Sequence, residues 1–285
     1  MEKELQKIYS EAKKDLEDKW FDFMQAEGAK IKDMQNQYYA LKRTGQHEEA
    51  KELGKKLGIE KHKATLENAH YKRMVEDTTA KLAHTNEIAI AYINEQMPDI
   101  YTINYNDAYK GLVDGIKGIS YELVDESTVS YLVKNKKLQL PKKKVNIPKD
   151  MRWNAKQINS AILQGILQGE SIDKMSERIL PVVDNNQNAS VRTARTLTTQ
   201  CENKGRLDRM ENLSEQGLKM QKTWISTDDE RTRESHALMD GETVDIDEPF
   251  SNDLMYPADP DGDPSEVYNC RCTMVTEIIG MKEGD

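Results

Sequence analysis

Residues 219–226 and 273–279 each read as a short β-strand, and between them the chain makes an excursion with acids, prolines and glycines but little regular pattern. A connection of that length without its own periodicity is uncommon inside a compact domain, so something must hold it down. It concentrates special residues: two of the three cysteines (Cys270, Cys272), the one histidine after His84 (His236), and half of the eight prolines. Trp224 can anchor the first strand in a core, and the cluster Asp228-Asp229-Glu230-Arg231-Thr232-Arg233 follows it. In that cluster Arg231 or Arg233 is expected to pair with Asp228, Asp229 or a backbone carbonyl, because one guanidinium makes several hydrogen bonds at once.

The rest of the chain reads as helix. Leu5, Ile8, Ala12, Leu16, Trp20 and Met24, then Ile31, Met34, Tyr38 and Leu41, recur at helical spacing. Gly45 breaks that pattern, residues 48–57 resume it, and Gly58 has the place of a C-terminal helix glycine. A second long pattern, from about residue 60 to 96, stops before Pro98. These helices predict an extended hairpin over residues 1–97, whose apolar stripe is either its own core or a docking face for a partner. With 37% apolar and 32% charged residues, a large enzyme core is not expected.

Residues 98–150 change character and read as an irregular, basic connector. Tyrosines lie among Asn, Asp and Gly, and between Lys134 and Arg152 there are eight basic side chains and one acid, in a chain of net charge −9. Lys134, Lys136, Lys137, Lys142, Lys143 and Lys144 are the candidate contacts to a DNA backbone; a solvated linker bounded by Pro141 and Pro148 is the plainer alternative. Helices are then predicted from Trp153 to Gly169, with Ser171 as a cap for the next up to Pro181, a polar loop over Asn185–Asn188, and a third helix from Ala189 to Gly217. The expected fold is mostly α, ending in an α+β module over residues 151–285 with a small antiparallel sheet. No stretch approaches the roughly 20 apolar residues that span a bilayer, and the first residues carry no apolar signal core. A soluble, cytoplasmically made protein is the expectation.

The C-terminal pattern of Trp224, Asp229-x-Arg231-Thr232, Asp240-Gly241, Pro257 and Cys270-Arg271-Cys272 resembles the Mu F-like minor head proteins of tailed bacteriophages, the phage head morphogenesis family. Gly165, Gly169-Glu170-Ser171 and Ala194-Arg195-Thr196 extend the likeness upstream, over about residues 150–280. The resemblance implies a minor capsid component of the virion that associates with portal, capsid or scaffold proteins during head assembly and, in some relatives, contacts double-stranded DNA. Members often carry two cysteines three apart after the Asp-x-Arg-Thr segment, which with Cys-Arg-Cys look like a tetrahedral zinc site. Here Arg233 and His236 stand at those positions, and Leu197 replaces a frequent glutamate after Ala-Arg-Thr.

That leaves His236, Cys270 and Cys272 as metal candidates with Asp229 or water as a fourth ligand, or else a metal-free cluster in which the thiols pack or form a disulfide. The segment Asp259-Pro260-Asp261-Gly262-Asp263 reads as a turn and not as a calcium loop. A catalytic role is not expected. Ser235 and His236 are sequence neighbours, and there is no glycine-rich phosphate loop or nucleophile elbow. A metal-dependent nuclease acting through His236, Asp229 and the thiols is the alternative.

Overall fold

The computed structural model describes residues 1–66, 69–110, 151–168 and 172–282. The lysine segment from Lys134 to Lys144, Gly169, Glu170 and the proposed cap Ser171 lie outside the described residues. Helices α1 (Glu2–Arg43), α2 (His47–Leu66), α3 (Ala69–Lys110), α4 (Met151–Gln168) and α5 (Ile172–Glu215) are followed by β1 (Leu218–Ile225), α6 (Glu234–Leu238), β2 (Thr243–Asp245), α7 (Pro264–Val267) and β3 (Thr273–Met281). The expected order of helices first and a small antiparallel sheet last is therefore present. Among the described residues no helix is long and apolar enough to cross a membrane.

The chain forms two compact units interleaved in sequence, one from residues 1–90 and 146–190, the other from 91–145 and 191–285. This differs from a plain succession of hairpin, connector and module. In the first unit α1 folds back on α2 through a turn at Thr44–Gln46, where Gly45 takes φ +77°. Tyr38 lies against Gly54, whose absent Cβ would stand 3.0 Å from the ring. The hairpin is thus α1 with α2, and α2 passes through Gly58 instead of ending there. Of the expected stripe Leu5, Ala12 and Leu16 are buried, together with Tyr9, so this part of α1 is core.

Buried amides decide where the sequence pattern misleads. The Tyr9 hydroxyl donates to Asn86 Oδ1 (2.6 Å) and meets Ser190 Oγ (2.7 Å), while Asn86 Nδ2 donates to Asn186 Oδ1 (2.9 Å). Asn186 and Asn154 exchange amide hydrogen bonds, and Asn186 Nδ2 also reaches the Val182 carbonyl at 2.7 Å. Residues 185–188, expected as a polar loop, instead continue α5, because Asn186 is an interior group whose side chain is satisfied by other helices. Desolvation pushes the Tyr9 hydroxyl up to about 12. Pro181 and Pro98 both lie inside helices and not beyond their ends. Each removes one backbone hydrogen bond, a loss that tertiary packing outweighs here. Residues 98–110, expected to be irregular, accordingly extend α3.

In the second unit, Tyr101 and Tyr105 of α3 stack at 6.0 Å and face α5, where the Tyr101 hydroxyl donates to Asp208 and Arg209 lies over the Tyr105 ring at 5.2 Å. Gly205 makes this approach close: a Cβ there would stand 2.7 Å from the Tyr101 carbonyl oxygen and 3.2 Å from the Tyr105 nitrogen.

The sheet has the order β2-β1-β3, antiparallel throughout. Thr223 pairs with Thr243 on one side and Val275 on the other, and a bulge sits at Lys219/Met220. Strand β1 buries alternate residues, Leu218, Met220, Lys222 and Trp224, as period-2 geometry requires. Leu218 and Met220 meet Leu207, Met210 and Leu213 of α5 together with Ile246, Tyr256 and Met274. Lys222 is the exception in that apolar rank. Its stem is buried, its Nζ donates to the Ile246 carbonyl at 2.9 Å and lies 5.4 Å from the centre of the Phe250 ring. Burial pushes its pKa down to about 8.

Two outcomes follow from these contacts. Gly205→Ala is expected to destabilise by about 1–3 kcal/mol, the cost of overpacking against unyielding backbone, although alanine gains about 1 kcal/mol in helix propensity. A urea denaturation midpoint that stays put would show that α3 and α5 do not approach at this point. For Lys222 the folded pKa of about 8 lies below the ordinary lysine value of 10.5, so between those values the unfolded chain binds more protons and stability rises with pH. The melting temperature of Lys222→Met relative to the parent should therefore be most favourable below pH 8 and decline toward pH 10. A difference independent of pH would mean that the ammonium group is solvated.

Candidate functional site

The excursion from β1 to β3 is fixed by side chains that present their hydrogen bonds to its backbone. From α5, Thr199 Oγ1 donates to the Cys270 carbonyl (2.9 Å), and Asn203 Nδ2 reaches the carbonyls of Cys272 (3.2 Å) and Pro257 (3.3 Å). Thr196 Oγ1 accepts from the Asn269 N–H at 3.1 Å. Asn269 itself takes φ +56°, a left-handed conformation that asparagine tolerates better than most residues. These groups recur at three- and four-residue spacing and so share one helical face. The family resemblance singled out Ala194-Arg195-Thr196 without assigning it this contact, and Thr199 and Asn203 were not found, although their spacing was the available signal.

At the other end, the Trp224 carbonyl accepts from the Gly241 N–H (2.9 Å), and the Trp224 N–H donates to the Glu242 carbonyl (2.8 Å). Gly241 holds φ +80°, and Asp240 accepts from the Ser226 N–H at 2.7 Å. Glu242 in turn accepts from the Ser251 N–H and hydroxyl at 2.7 and 2.8 Å. The Asp259 segment forms a turn. Its carboxylate accepts from the backbones of Met255 and Asp261, and Gly262 lies so close to Leu254 that a Cβ would stand 2.1 Å from Cδ2. Asp263 caps α7 by accepting from the Ser265 N–H.

The charged cluster resolves partly as expected: Arg233 takes a backbone carbonyl, that of Tyr268, while the partner of Asp229 differs. Asp229 pairs with Arg271, not with Arg231 or Arg233: both guanidinium nitrogens reach its carboxylate, at 2.5 and 2.6 Å. The same carboxylate accepts from the Arg231 N–H (3.0 Å) and the Thr232 hydroxyl (3.2 Å), making a closed turn. Arg271 beside it, with these lesser bonds, holds the Asp229 carboxyl well below the usual range. With both oxygens engaged, Asp229 is withdrawn as a metal ligand. The Arg231 side chain is exposed, and Arg233 donates to the Tyr268 carbonyl.

Behind this turn, α6 delivers His236 into the core that Trp224, Met239, Phe250, Leu254, Ala258, Val267, Cys270 and Cys272 build. Trp224 meets the His236 ring edge to face at 5.3 Å and Phe250 at 5.2 Å. His236, Cys270 and Cys272 are each at most 4% exposed. Nδ1 of His236 is 3.3 Å from the Cys272 sulfur and 3.8 Å from the Cys270 sulfur, and all three donor atoms lie within 4.8 Å of one another. The thiols are free.

On the outer side of the ring, Nε2 is 2.9 Å from Glu266 Oε2, close enough for an ion pair but off the line of an aligned N–H bond. Glu266, which sequence reasoning missed, also accepts from the Ser235 hydroxyl at 2.9 Å. The two thiols share their protonation. The neighbouring Cys270 thiol and His236 hold Cys272 below the usual thiol range, while its partner Cys270 is pushed up by that bond and by burial. The buried Trp224 N–H makes no full hydrogen bond but adds to the pull on Cys272.

A donor set of one imidazole and two thiols, converging from two segments, suits a soft-to-borderline cation such as zinc. The three residues that supply it are buried. The sequence-derived motif thus divides in three. Trp224, Pro257 and the two cysteines are interior, Asp229, Thr232, Arg233 and Arg271 brace the loop, and Asp240 and Gly241 shape the turn onto β1.

Residues 156–275 match the family described as Phage Mu protein F like protein. Among curated relatives, the chain is similar to an NAD(+)–arginine ADP-ribosyltransferase of Enterococcus faecalis, 29% identical over 129 residues that make up 45% of this chain and 26% of that protein. It is also similar to minor head protein GP7 of Bacillus phage SPP1, 26% identical over 196 residues, 66% of this chain and 62% of that one. The chain therefore spans about a quarter and about three-fifths of the lengths of these two relatives. No solved structure matches. Residues 156–275 therefore form a module similar to the family described as Phage Mu protein F like protein.

Proposed function

We propose that this protein is a minor head protein that acts in the head morphogenesis of a tailed bacteriophage, in an architectural role inside the virion. The observation that carries this reading is the combination of the family module with a closed interior. The residues of the family motif are spent on bracing a long excursion, and the most reactive group of side chains is buried. The likeness to the phage SPP1 minor head protein, over 66% of this chain, supports the same role. The enterococcal transferase shares 26% of its length, and this sequence has no glycine-rich loop of the kind that cradles a dinucleotide phosphate. A nuclease working through His236 and the thiols is disfavoured by their burial.

Portal protein is the proposed partner, with capsid or scaffold proteins as further contacts. Docking is assigned to surface groups. The exposed apolar residues Tyr39 on α1 and Ile59 on α2 are the first to examine. Co-expression of the tagged full-length protein with the portal of the same phage is expected to co-purify both, and Tyr39→Glu with Ile59→Glu to reduce the yield severalfold while leaving the melting temperature in place. Recovery of no portal from the parent chain would remove the portal from this reading.

The lysine segment is proposed to contact packaged DNA through phosphates. Each neutralised phosphate adds about 0.9 to the slope of log affinity against log salt. Lys142→Ala, Lys143→Ala and Lys144→Ala together should therefore weaken binding to duplex DNA and flatten that slope by about 2 to 3. An unchanged slope in a fluorescence anisotropy titration would assign the segment to a solvated linker.

A further inference from the structure

We infer that the open edge of β3 is a docking site for an extended segment of a partner protein, which adds as a fourth strand and sets a lysine or arginine against Glu277. The sheet order β2-β1-β3 leaves β3 as one edge. The ladder fixes which of its groups point outward. On β1, the Trp224 N–H and carbonyl bond to Glu242 and Gly241, and the Met220 carbonyl to Ile246, all on the β2 side. The alternate residues Gln221 and Thr223 therefore bond towards β3, where their register partners are Glu277 and Val275. That directs the N–H and C=O groups of Met274, Thr276 and Ile278 at the open edge. Among the described residues no backbone group takes them up.

Natural sheets blunt their edges with short strands, proline, lysine or a covering element. The other edge, β2, has three residues. By contrast β3 has nine, without proline or lysine, and its bulge lies only opposite Lys219/Met220, at the far end. Val275, Ile279 and Met281 are 41–66% exposed, so an added strand covers apolar surface as well as pairing the backbone. Charge selects the occupant. Glu277 is exposed, and among the described residues its carboxylate has no hydrogen bond or ion pair. Its row across the sheet runs through Gln221 to Asp245, and the Gln221 amide is already given to Asp245. Because Glu277 bonds inward to β1, it makes a non-hydrogen-bonded pair with an antiparallel fourth strand, the pairing in which facing side chains come closest. A basic residue there meets an unanswered carboxylate, with apolar residues two places to either side. A second copy of β3 offers no basic residue within the strand.

The test titrates the full-length chain with a synthetic peptide, acetyl-Thr-Val-Thr-Lys-Thr-Val-Thr-amide, and follows it by amide NMR and hydrogen exchange. Saturable shifts are expected over Met274–Ile278, with slowed exchange of the Thr276 and Ile278 amides, which exchange freely without peptide. N-methylation of the two peptide threonines beside the lysine removes the donors that face Thr276 and Ile278, and should abolish binding. Replacing the peptide's lysine by glutamate should weaken binding about fivefold, and Glu277→Lys in the protein should reverse that preference. Thr276→Pro removes an edge N–H without touching a bond to β1, so the chain should keep its melting temperature and lose the peptide. The reversal by Glu277→Lys, at an exposed position, does not depend on the proline variant folding. Equal binding of the N-methylated and unmodified peptides, no saturable shift on β3, or Thr276 and Ile278 amides already protected in the free monomer would overturn the site. Self-association that Thr276→Pro abolishes would give the edge to a second copy and also overturn it.

Discussion

One face of α5 sets the geometry on which the C-terminal module depends. Thr196, Thr199 and Asn203 satisfy backbone groups of Asn269, Cys270, Cys272 and Pro257. A segment with little ladder of its own still has to place its buried N–H and C=O groups somewhere, and leaving one unmet costs about 1–3 kcal/mol. The helix is rigid, so the backbone it pins is rigid too. Cys270 and Cys272 then stand opposite His236 because α5 fixes one side and the Gly241 turn fixes the other. The Asp229–Arg271 bridge is the exposed outer latch of the same arrangement. As a surface pair it contributes modestly, and its more definite consequence is to hold the turn that precedes α6.

Much of this was legible in the residues. The two strands were placed to within a residue or two, because β-branched and aromatic alternation near Trp224 and Val275 is a strong local signal. The convergence of His236 with the cysteines was implied by family likeness, and the structure supplies its distances. The failures share one cause. Residues 185–188 and 98–110 were assigned by local polarity and by proline, yet each lies in a helix whose register is set by partners distant in sequence. Asn186 is satisfied by Asn154, and Tyr101 by Asp208, neither of which a local window contains. Arg271 was likewise hidden. Its partner Asp229 lies 42 residues away, and the nearer arginines were the natural candidates. Strand β2, three residues long, falls below what periodicity can detect.

Composition explains why buried polar groups recur in both units. A chain with 37% apolar and 32% charged residues, drawn into helices of 42 and 44 residues, has a narrow apolar stripe for each turn of helix. Narrow stripes of similar small and aliphatic residues permit helices to slide by a turn at little cost. The amide network of Asn86, Asn154 and Asn186 in one unit, and the Tyr101–Asp208–Lys204 chain in the other, penalise such slippage, because a shift strands several buried donors together.

The same reasoning applies to the C-terminal core. Here the reactive groups are turned inward, towards one another and towards Trp224, while the groups that face water, Asp229, Thr232 and Arg271, are occupied in holding the loop. Lys222 follows that rule at the next inward position of β1: its charge is desolvated, yet its amine is committed to the Ile246 carbonyl and to the Phe250 face. Such an interior uses its polar atoms to specify geometry.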